Sequence, residues 1–132
     1  MSTLVVNTVK AQSGTGAPVF QNSSGTEKGQ LCKAWCNLNG TGTIAVRDSF
    51  GLSSVTDTAQ AKYQFNFSTA FANTNYCVLT GQARKADGDG DDRFFSKSYN
   101  YNTTDFRVEH AFAANDSQNS DSEYVFIAVM AS

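Results

Sequence analysis

The stretch that decides the fold is residues 33–78, KAWCNLNGTGTIAVRDSFGLSSVTDTAQAKYQFNFSTAFANTNYCV. Apolar and polar residues alternate along much of it, and Gly-rich turns interrupt the alternation. The clearest segment is KYQFNF, in which Tyr63, Phe65 and Phe67 fall on one side of an extended chain and polar residues on the other. A period of two residues predicts β-strands with one face buried in a core.

Along the whole chain, the same pattern predicts seven strands. They are Leu31–Leu38, Thr43–Arg47, Lys62–Ser68, Tyr76–Ala83, Arg93–Tyr101, Phe106–Phe112 and Glu123–Met130. Asn39-Gly40, Asp87-Gly88 and Asp89-Gly90 are turn signals, because Gly and Asn tolerate positive φ. Residues 124–130 are almost continuously apolar, which predicts a strand covered on both faces. We therefore predict an all-β fold, an antiparallel β-sandwich over residues 31–132.

The first part of the chain has a different composition. Residues 1–30 contain one short apolar stretch, Leu4–Val9, followed by a run rich in Gly, Ser and Thr. So little apolar surface cannot offset the entropy of ordering thirty residues alone. We expect an extended N-terminal arm over residues 1–30, which is either flexible or gains its burial from other chains.

Charge and hydropathy exclude several classes of partner. The net charge is −2, and no basic cluster is visible that would fit nucleic acid or an anionic membrane. No apolar run approaches the roughly 18 to 20 residues that span a bilayer. The N-terminus lacks the basic region and the apolar core of a signal peptide, so we expect folding in a cytoplasm.

The three cysteines and the single histidine indicate neither a disulfide framework nor a metal centre. Cys32 and Cys36 would lie on one strand face about 13 Å apart, which is too far for a bridge. A zinc site needs about four ligands, and the chain offers Cys32, Cys36, Cys77 and His110. We expect reduced, buried thiols and no cofactor, with metal binding or intersubunit disulfides as alternatives.

Several motifs in residues 34–76 resemble a module found near the C-termini of bacteriophage tail fibres, common in marine and cyanobacterial phages. They are Ala-Trp-x-Asn-x-Asn-Gly-Thr-Gly-Thr at 34–43, Val-Arg-Asp-Ser-Phe at 46–50, Tyr-x-Phe-x-Phe-Ser-Thr-Ala-Phe at 63–71 and Asn-Thr-Asn-Tyr at 73–76. The resemblance implies a non-catalytic receptor-binding module of a virion, assembled in the host cytoplasm. It also implies a homotrimer whose N-terminal arms intertwine and contact other virion proteins. Trp35 belongs to the first motif, and we expect it to be a packing anchor.

The acidic turn at 87–92 is the one cluster with ligand chemistry. Asp87, Asp89, Asp91 and Asp92 resemble the start of a calcium loop. However, an EF-hand would place its glycine at Asp92 and its closing glutamate at Ser98. A solvated hairpin tip is therefore the simpler interpretation, with no metal assigned. Binding residues concentrate in loops on rigid scaffolds, so these four aspartates are candidates for receptor contact.

Tyr99 and Tyr101 are the second set of receptor-binding candidates. The sequence Tyr-Asn-Tyr-Asn interleaves aromatic rings with amides, which suits sugar binding. In a continuous strand, both tyrosines would point to the same side. The alternative is that they are core or interface residues.

Catalysis has little support in the sequence. His110 lies on an apolar strand face with no acid or nucleophile nearby in sequence, which predicts a packed histidine. No Gly-x-Ser-x-Gly elbow and no phosphate-binding Gly-rich turn occur. We expect that the protein is not an enzyme.

Three functional hypotheses remain. The first is a short tail fibre or receptor-binding tip that attaches to a glycan or protein of the host surface. The second is a structural virion component, such as a head fibre or decoration protein, that binds no receptor. The third and weakest is a carbohydrate-binding module that acts as a monomer.

Overall fold

The computed structural model describes residues 5–6, 8–9, 20–29, 31–83, 94–112 and 121–131. The chain divides into two compact units, Met1–Leu31 and Cys32–Ser132. In the first unit, β1 (Phe20–Gln21) pairs antiparallel with β2 (Glu27–Gly29). The turn between them is held by Asn22, whose Oδ1 accepts hydrogen bonds from the backbone N–H groups of Ser24 and Thr26. The apolar side chains described in this unit are exposed: Val5, Val6, Val9, Phe20 and Leu31.

The described residues of the second unit form eight strands in two four-stranded sheets. In chain order they are β3 (Cys32–Asn39), β4 (Ala45–Phe50), β5 (Leu52–Ala59), β6 (Lys62–Phe67), β7 (Cys77–Ala83), β8 (Phe94–Tyr99), β9 (Asp105–Phe112) and β10 (Tyr124–Met130). Sheet I has the order β4-β3-β10-β7 and sheet II the order β5-β6-β9-β8, with antiparallel pairing throughout. The two sheets pack face to face, so the predicted β-sandwich is confirmed.

Each of the seven predicted strands overlaps a strand of the structure, whereas β5 of the sandwich and the short β1 and β2 of the first unit were not predicted. The sequence of β5, LSSVTDTA, has apolar side chains only at Leu52, Val55 and the terminal alanine, and most of the strand is exposed. It lies at the edge of sheet II and its pairing with β6 is interrupted by two irregularities. An exposed edge strand needs no regular apolar face, so a search for alternation does not find it.

The core consists of the inward-facing side chains of both sheets. Tyr63, Phe65 and Phe67 alternate with half-exposed polar residues along β6, as predicted. Phe65 stacks on Phe106 of β9, with ring centroids 5.3 Å apart. The other buried apolar residues are Ala34, Cys36, Leu38, Tyr76, Val108, Val125, Ile127, Val129 and Ala131.

Gly51 carries the chain from sheet I to sheet II, between β4 and β5. Its φ of 72° lies in the left-handed region that glycine adopts without strain. A Cβ at this position would also overlap the backbone oxygen of Lys33. The predicted turn at Asn39-Gly40 is present, but the positive φ falls on Gly42, and Gly40 is needed because the hydroxyl of Tyr63 lies against it.

The prediction that β10 is covered on both faces is wrong for the single chain. Val125, Ile127 and Val129 are buried in the core, whereas Phe126 and Met130 are each 39% exposed on the outer side. β10 is nevertheless a central strand, hydrogen-bonded to β3 on one side and to β7 on the other. An almost continuous apolar strand therefore presents half of its side chains to solvent.

Candidate functional site

The acidic turn lies outside the described residues, as do the turn signals Asp87-Gly88 and Asp89-Gly90. Its position in the fold is fixed by the strands that it joins, which are β7 and β8. β7 ends at Ala83 in sheet I, and β8 begins at Phe94 in sheet II. The four aspartates thus belong to a connection that crosses between the sheets.

The structure does not bring Tyr99 and Tyr101 to one face. Tyr99 ends β8 opposite Arg107, on the outer side of sheet II. Asn100 then has a φ of 53°, which turns the chain, so the expectation that both tyrosines point the same way is wrong. The Tyr101 hydroxyl lies 2.6 Å from the Oγ of Ser98. Its ring packs toward the interior, because its centroid lies 5.2 Å from that of Tyr76.

Tyr101 therefore belongs to an aromatic cluster that closes one end of the sandwich. Tyr76 is the centre of this cluster, and its hydroxyl donates to the backbone oxygens of Asn102 and Asp105, at 2.9 and 3.1 Å. Burial, with a smaller effect of the Asp105 charge, raises the pKa of Tyr76 to about 12, so it stays a neutral donor. Tyr101 is 38% exposed, so part of its ring remains open to a ligand.

Tyr99 lies at the opposite end of β8 from Phe94, which is the first described residue after the acidic turn. The five residues between these two positions correspond to about 17 Å at about 3.3 Å per residue. The described part of the chain therefore places Tyr99 and Tyr101 far from the start of β8.

His110 is a packed histidine, as expected. Its side chain is fully buried, both ring nitrogens lack a hydrogen-bond partner, and its ring meets that of Tyr63 edge-on at 5.7 Å. Burial lowers the pKa of His110 to about 4, although the negative charge of Asp121 acts in the opposite direction. Ser96 faces His110 across β8 and β9, and its Oγ is also buried without a partner. A neutral, sealed pair of this kind is suited to packing, because no substrate reaches it.

The outer face of sheet II is polar and internally hydrogen-bonded. Arg107 donates from Nε to Gln64, which donates to Asn66, which donates to the Oγ of Ser54. Beside this chain of bonds, the carboxylate of Glu109 lies within 3.2 Å of the ammonium groups of Lys62 and Lys97. The polar side chains of this face bond to one another, and such a face is compatible with exposure to water.

The outer face of sheet I is instead apolar. Its large exposed apolar side chains are Trp35 (37% exposed), Phe50 (58%), Leu79 (53%), Phe126 (39%) and Met130 (39%), which together with Ala128 we call the apolar face. The polar side chains of Asn37 and Asp48 lie beside them on the same side of the sheet. Trp35 is thus a surface residue of the single chain, and the expected packing anchor does not belong to its core. Its side chain points to the opposite side of β3 from those of the core residues Ala34, Cys36 and Leu38, which occupy the alternate positions.

One row of side chains crosses the whole apolar face at a single level. Phe50 of β4 is paired with Trp35 of β3, Trp35 with Ala128 of β10, and Ala128 with Leu79 of β7. This surface cannot be recognised from any one strand, because its side chains come from four strands that are paired only in the fold. The available signal was the apolar residues at the second set of alternate positions in β10.

The cysteines are all free, and they differ in exposure. Cys36 is buried, and burial raises the pKa of its thiol to about 11. Cys32 is half-buried and Cys77 is exposed, so the expectation of three buried thiols is wrong for Cys77. Among the residues that the structure describes, no group of three or more His, Cys, Asp or Glu side chains could hold a metal ion.

Within the described ranges, no helix is long and apolar enough to cross a membrane. Comparison with known proteins gives no match: no protein-family model, no curated protein and no solved structure is similar to this chain.

Proposed function

We propose that this chain is a bacteriophage virion protein, a short tail fibre or receptor-binding tip that attaches to the host cell surface without catalysis. The observation that carries the proposal is the set of motifs at 34–43, 46–50, 63–71 and 73–76, which resemble tail-fibre modules. These motifs occupy β3, β4, β6 and the connection that follows β6, so they belong to the framework of the sandwich.

The chemistry of the described residues supports binding over catalysis. Among the described residues, the side chains of His110 and Ser96 lie together, but His110 Nδ1 and Nε2 and Ser96 Oγ are buried without hydrogen-bond partners. A rigid double sheet with variable connections is a common way to present binding residues. Tyr101 and the aspartates between β7 and β8 are the candidates for such residues.

The proposed partners follow from the resemblance. The protein would act as a homotrimer in the virion, with residues 1–30 contacting other virion proteins and the sandwich facing a host glycan or protein. Three copies of a weak site gain avidity from one another. Nothing in the charge distribution calls for nucleic acid or membrane insertion, since the net charge is −2.

Host binding is tested by replacing Asp87, Asp89, Asp91 and Asp92 together with Asn. We expect reduced adsorption of the protein to host cells, with an unchanged melting temperature in the absence of calcium. Asp57→Asn, which removes an exposed charge from β5, is the matched control and should adsorb normally.

Normal adsorption of the quadruple variant would remove this connection as the receptor site. A melting temperature that rises with calcium only in the wild type would show that the aspartates bind metal instead. Immunogold labelling of intact particles tests the location, because label on the capsid would contradict a tail fibre and favour a head fibre or decoration protein.

A further inference from the structure

We propose that the apolar face of sheet I is the surface through which copies of this chain associate with one another. This goes beyond the proposed function, which places the trimer contacts in residues 1–30, and it does not depend on where the protein acts. The occupant of the face is a second copy of the chain.

The two outer faces of the sandwich differ in polarity, and this difference supports self-association through sheet I. Sheet II carries a polar outer face whose side chains bond to one another, from Arg107 through Gln64 and Asn66 to Ser54. Sheet I carries five large apolar side chains that are between 37% and 58% exposed. A monomer rarely keeps several large apolar side chains exposed together on one sheet face, and such patches mark interaction surfaces.

The apolar composition of the central strand β10 also supports self-association. β10 is apolar at nearly every position, as in strands that are covered on both sides. The core covers Val125, Ile127 and Val129, while Phe126 and Met130 remain exposed in the single chain. A second copy packed against the outer side would bury Phe126 and Met130, as expected for a strand that is apolar at nearly every position.

The size of the face fits a protein partner. Four strands about 4.8 Å apart and seven residues of about 3.3 Å each outline about 19 by 23 Å, or roughly 440 Å². This flat outline is about half of the roughly 800 Å² per partner of a standard interface, and protruding side chains add accessible area to it.

The row across the face is self-complementary. Phe50 lies on the β4 edge and Leu79 on the β7 edge, at the level of Trp35 and Ala128. A rotation axis parallel to the strands brings the β4 edge of one copy to the β7 edge of the next at the same level. Phe50 of one copy then packs against Leu79 of another, and the same contact repeats around the axis.

The surroundings of the row resemble the rim of a protein interface. Lys33 lies one outward position before Trp35 on β3, and Asp48 lies opposite Asn37, one outward position after it. The Arg47 guanidinium lies 4.2 Å from the ring centroid of Tyr124 at the same end as Asp48. An apolar centre with charges at its margins is the arrangement that subunit contacts favour.

Other occupants fit the face less well. A sugar needs several hydrogen-bonding groups around its stacking ring, and although Lys33 and Asp48 flank Trp35, the other half of the face at Leu79, Ala128 and Met130 offers none. An anionic lipid surface needs a cluster of basic residues, and Lys33 is accompanied here by Asp48. A second copy would bring the same aliphatic and aromatic side chains, which can pack against those of the first copy.

The test is analytical ultracentrifugation of the full chain over a range of micromolar concentrations. We expect wild-type protein to associate, and Phe50→Lys or Leu79→Glu each to weaken association by at least about tenfold, about 1.4 kcal/mol. Phe95→Lys is the matched control, because Phe95 is 44% exposed on the outer side of sheet II. The double variant Phe50→Lys/Leu79→Glu should recover association, because the new charges meet between copies.

Circular dichroism and the melting temperature of each variant show that the sandwich remains folded. Mass spectrometry after thiol labelling gives an independent readout, because Cys77 is paired with Met130 at the margin of the apolar face. Cys77 should be protected in the wild-type assembly and labelled rapidly in Phe50→Lys.

Three results would overturn the proposal. They are a wild-type monomer at every concentration, full association of both single variants, or equal weakening by Phe95→Lys. Binding of the monomer to glycan or to lipid vesicles through Trp35 would assign the face to those ligands instead. Weakened association with normal host adsorption would separate this inference from the proposed function, whereas a wild-type monomer would contradict both this inference and the proposed homotrimer.

Discussion

Lowering the pH should destabilise the protein through His110, because the imidazole is buried without a hydrogen-bond partner. In the folded state its pKa is about 4, compared with the ordinary value of 6.5. Burial is the main cause, since an imidazolium in this position would lose its hydration and gain only the distant charge of Asp121. The folded protein therefore resists protonation of a group that the unfolded chain protonates readily.

The sign and size of the effect follow from linkage. Above pH 6.5 neither state binds the proton and the stability is complete; between 6.5 and 4 only the unfolded state binds it, so stability is lost as the pH falls. The difference between 6.5 and about 4 amounts to about 3 kcal/mol at about 1.36 kcal/mol per pKa unit. Of this, about 2 kcal/mol is lost between about pH 7.5 and about pH 5.

The assay benefits from the presence of a single histidine in the chain. Its ring resonances in a ¹H–¹³C NMR titration report the folded-state pKa directly, and urea unfolding at the two pH values reports the stability. His110→Leu is the control, and its stability should depend less on pH than that of the wild type by about 2 kcal/mol. A titration midpoint near the ordinary histidine value, or equal pH dependence of both proteins, would refute the argument.

Three further predictions concern the framework. Gly51→Ala should destabilise by about 3 kcal/mol or more, because a methyl group meets the backbone of β3 at a positive φ; Gly42→Ala, which has positive φ and open space, should cost only about 1 kcal/mol in urea unfolding. Phe65→Ala should cost about 3 to 5 kcal/mol and Gln64→Ala under about 1 kcal/mol, and equal costs would show that the two faces of β6 are misassigned. Deleting residues 1–30 should leave a folded sandwich but a weaker oligomer in sedimentation, and an unchanged trimer would rule out the intertwined arm.

The regular part of the fold could be predicted from the sequence because one side of most strands is buried. In β6, the alternation of Tyr63, Phe65 and Phe67 with polar residues is a direct record of that burial. The same holds for Phe106, Val108 and His110 on β9, all of which are buried. The predicted strand boundaries agree with those of the structure to within about three residues, because Gly and Asn mark the turns between strands.

The parts that could not be predicted depend on neighbours that lie far away in the sequence. The exposure of Trp35 is set by pairing with Phe50 and Ala128, and apolar character alone does not tell the inner side from the outer side. The separation of Tyr99 from Tyr101 results from one residue, Asn100, with positive φ. An Asn is permitted to adopt this conformation but is not compelled to do so.

The position of β10 has a consequence for biosynthesis. Sheet I places the last strand of the sandwich between β3 and β7, so the first and last strands in chain order are hydrogen-bonded neighbours. On the ribosome, the backbone groups of β3 and β7 that pair with β10 remain bonded to water until residues 124–130 have emerged. The sandwich therefore closes only after nearly all of its residues have left the exit tunnel, and until then its core side chains are exposed to aggregation.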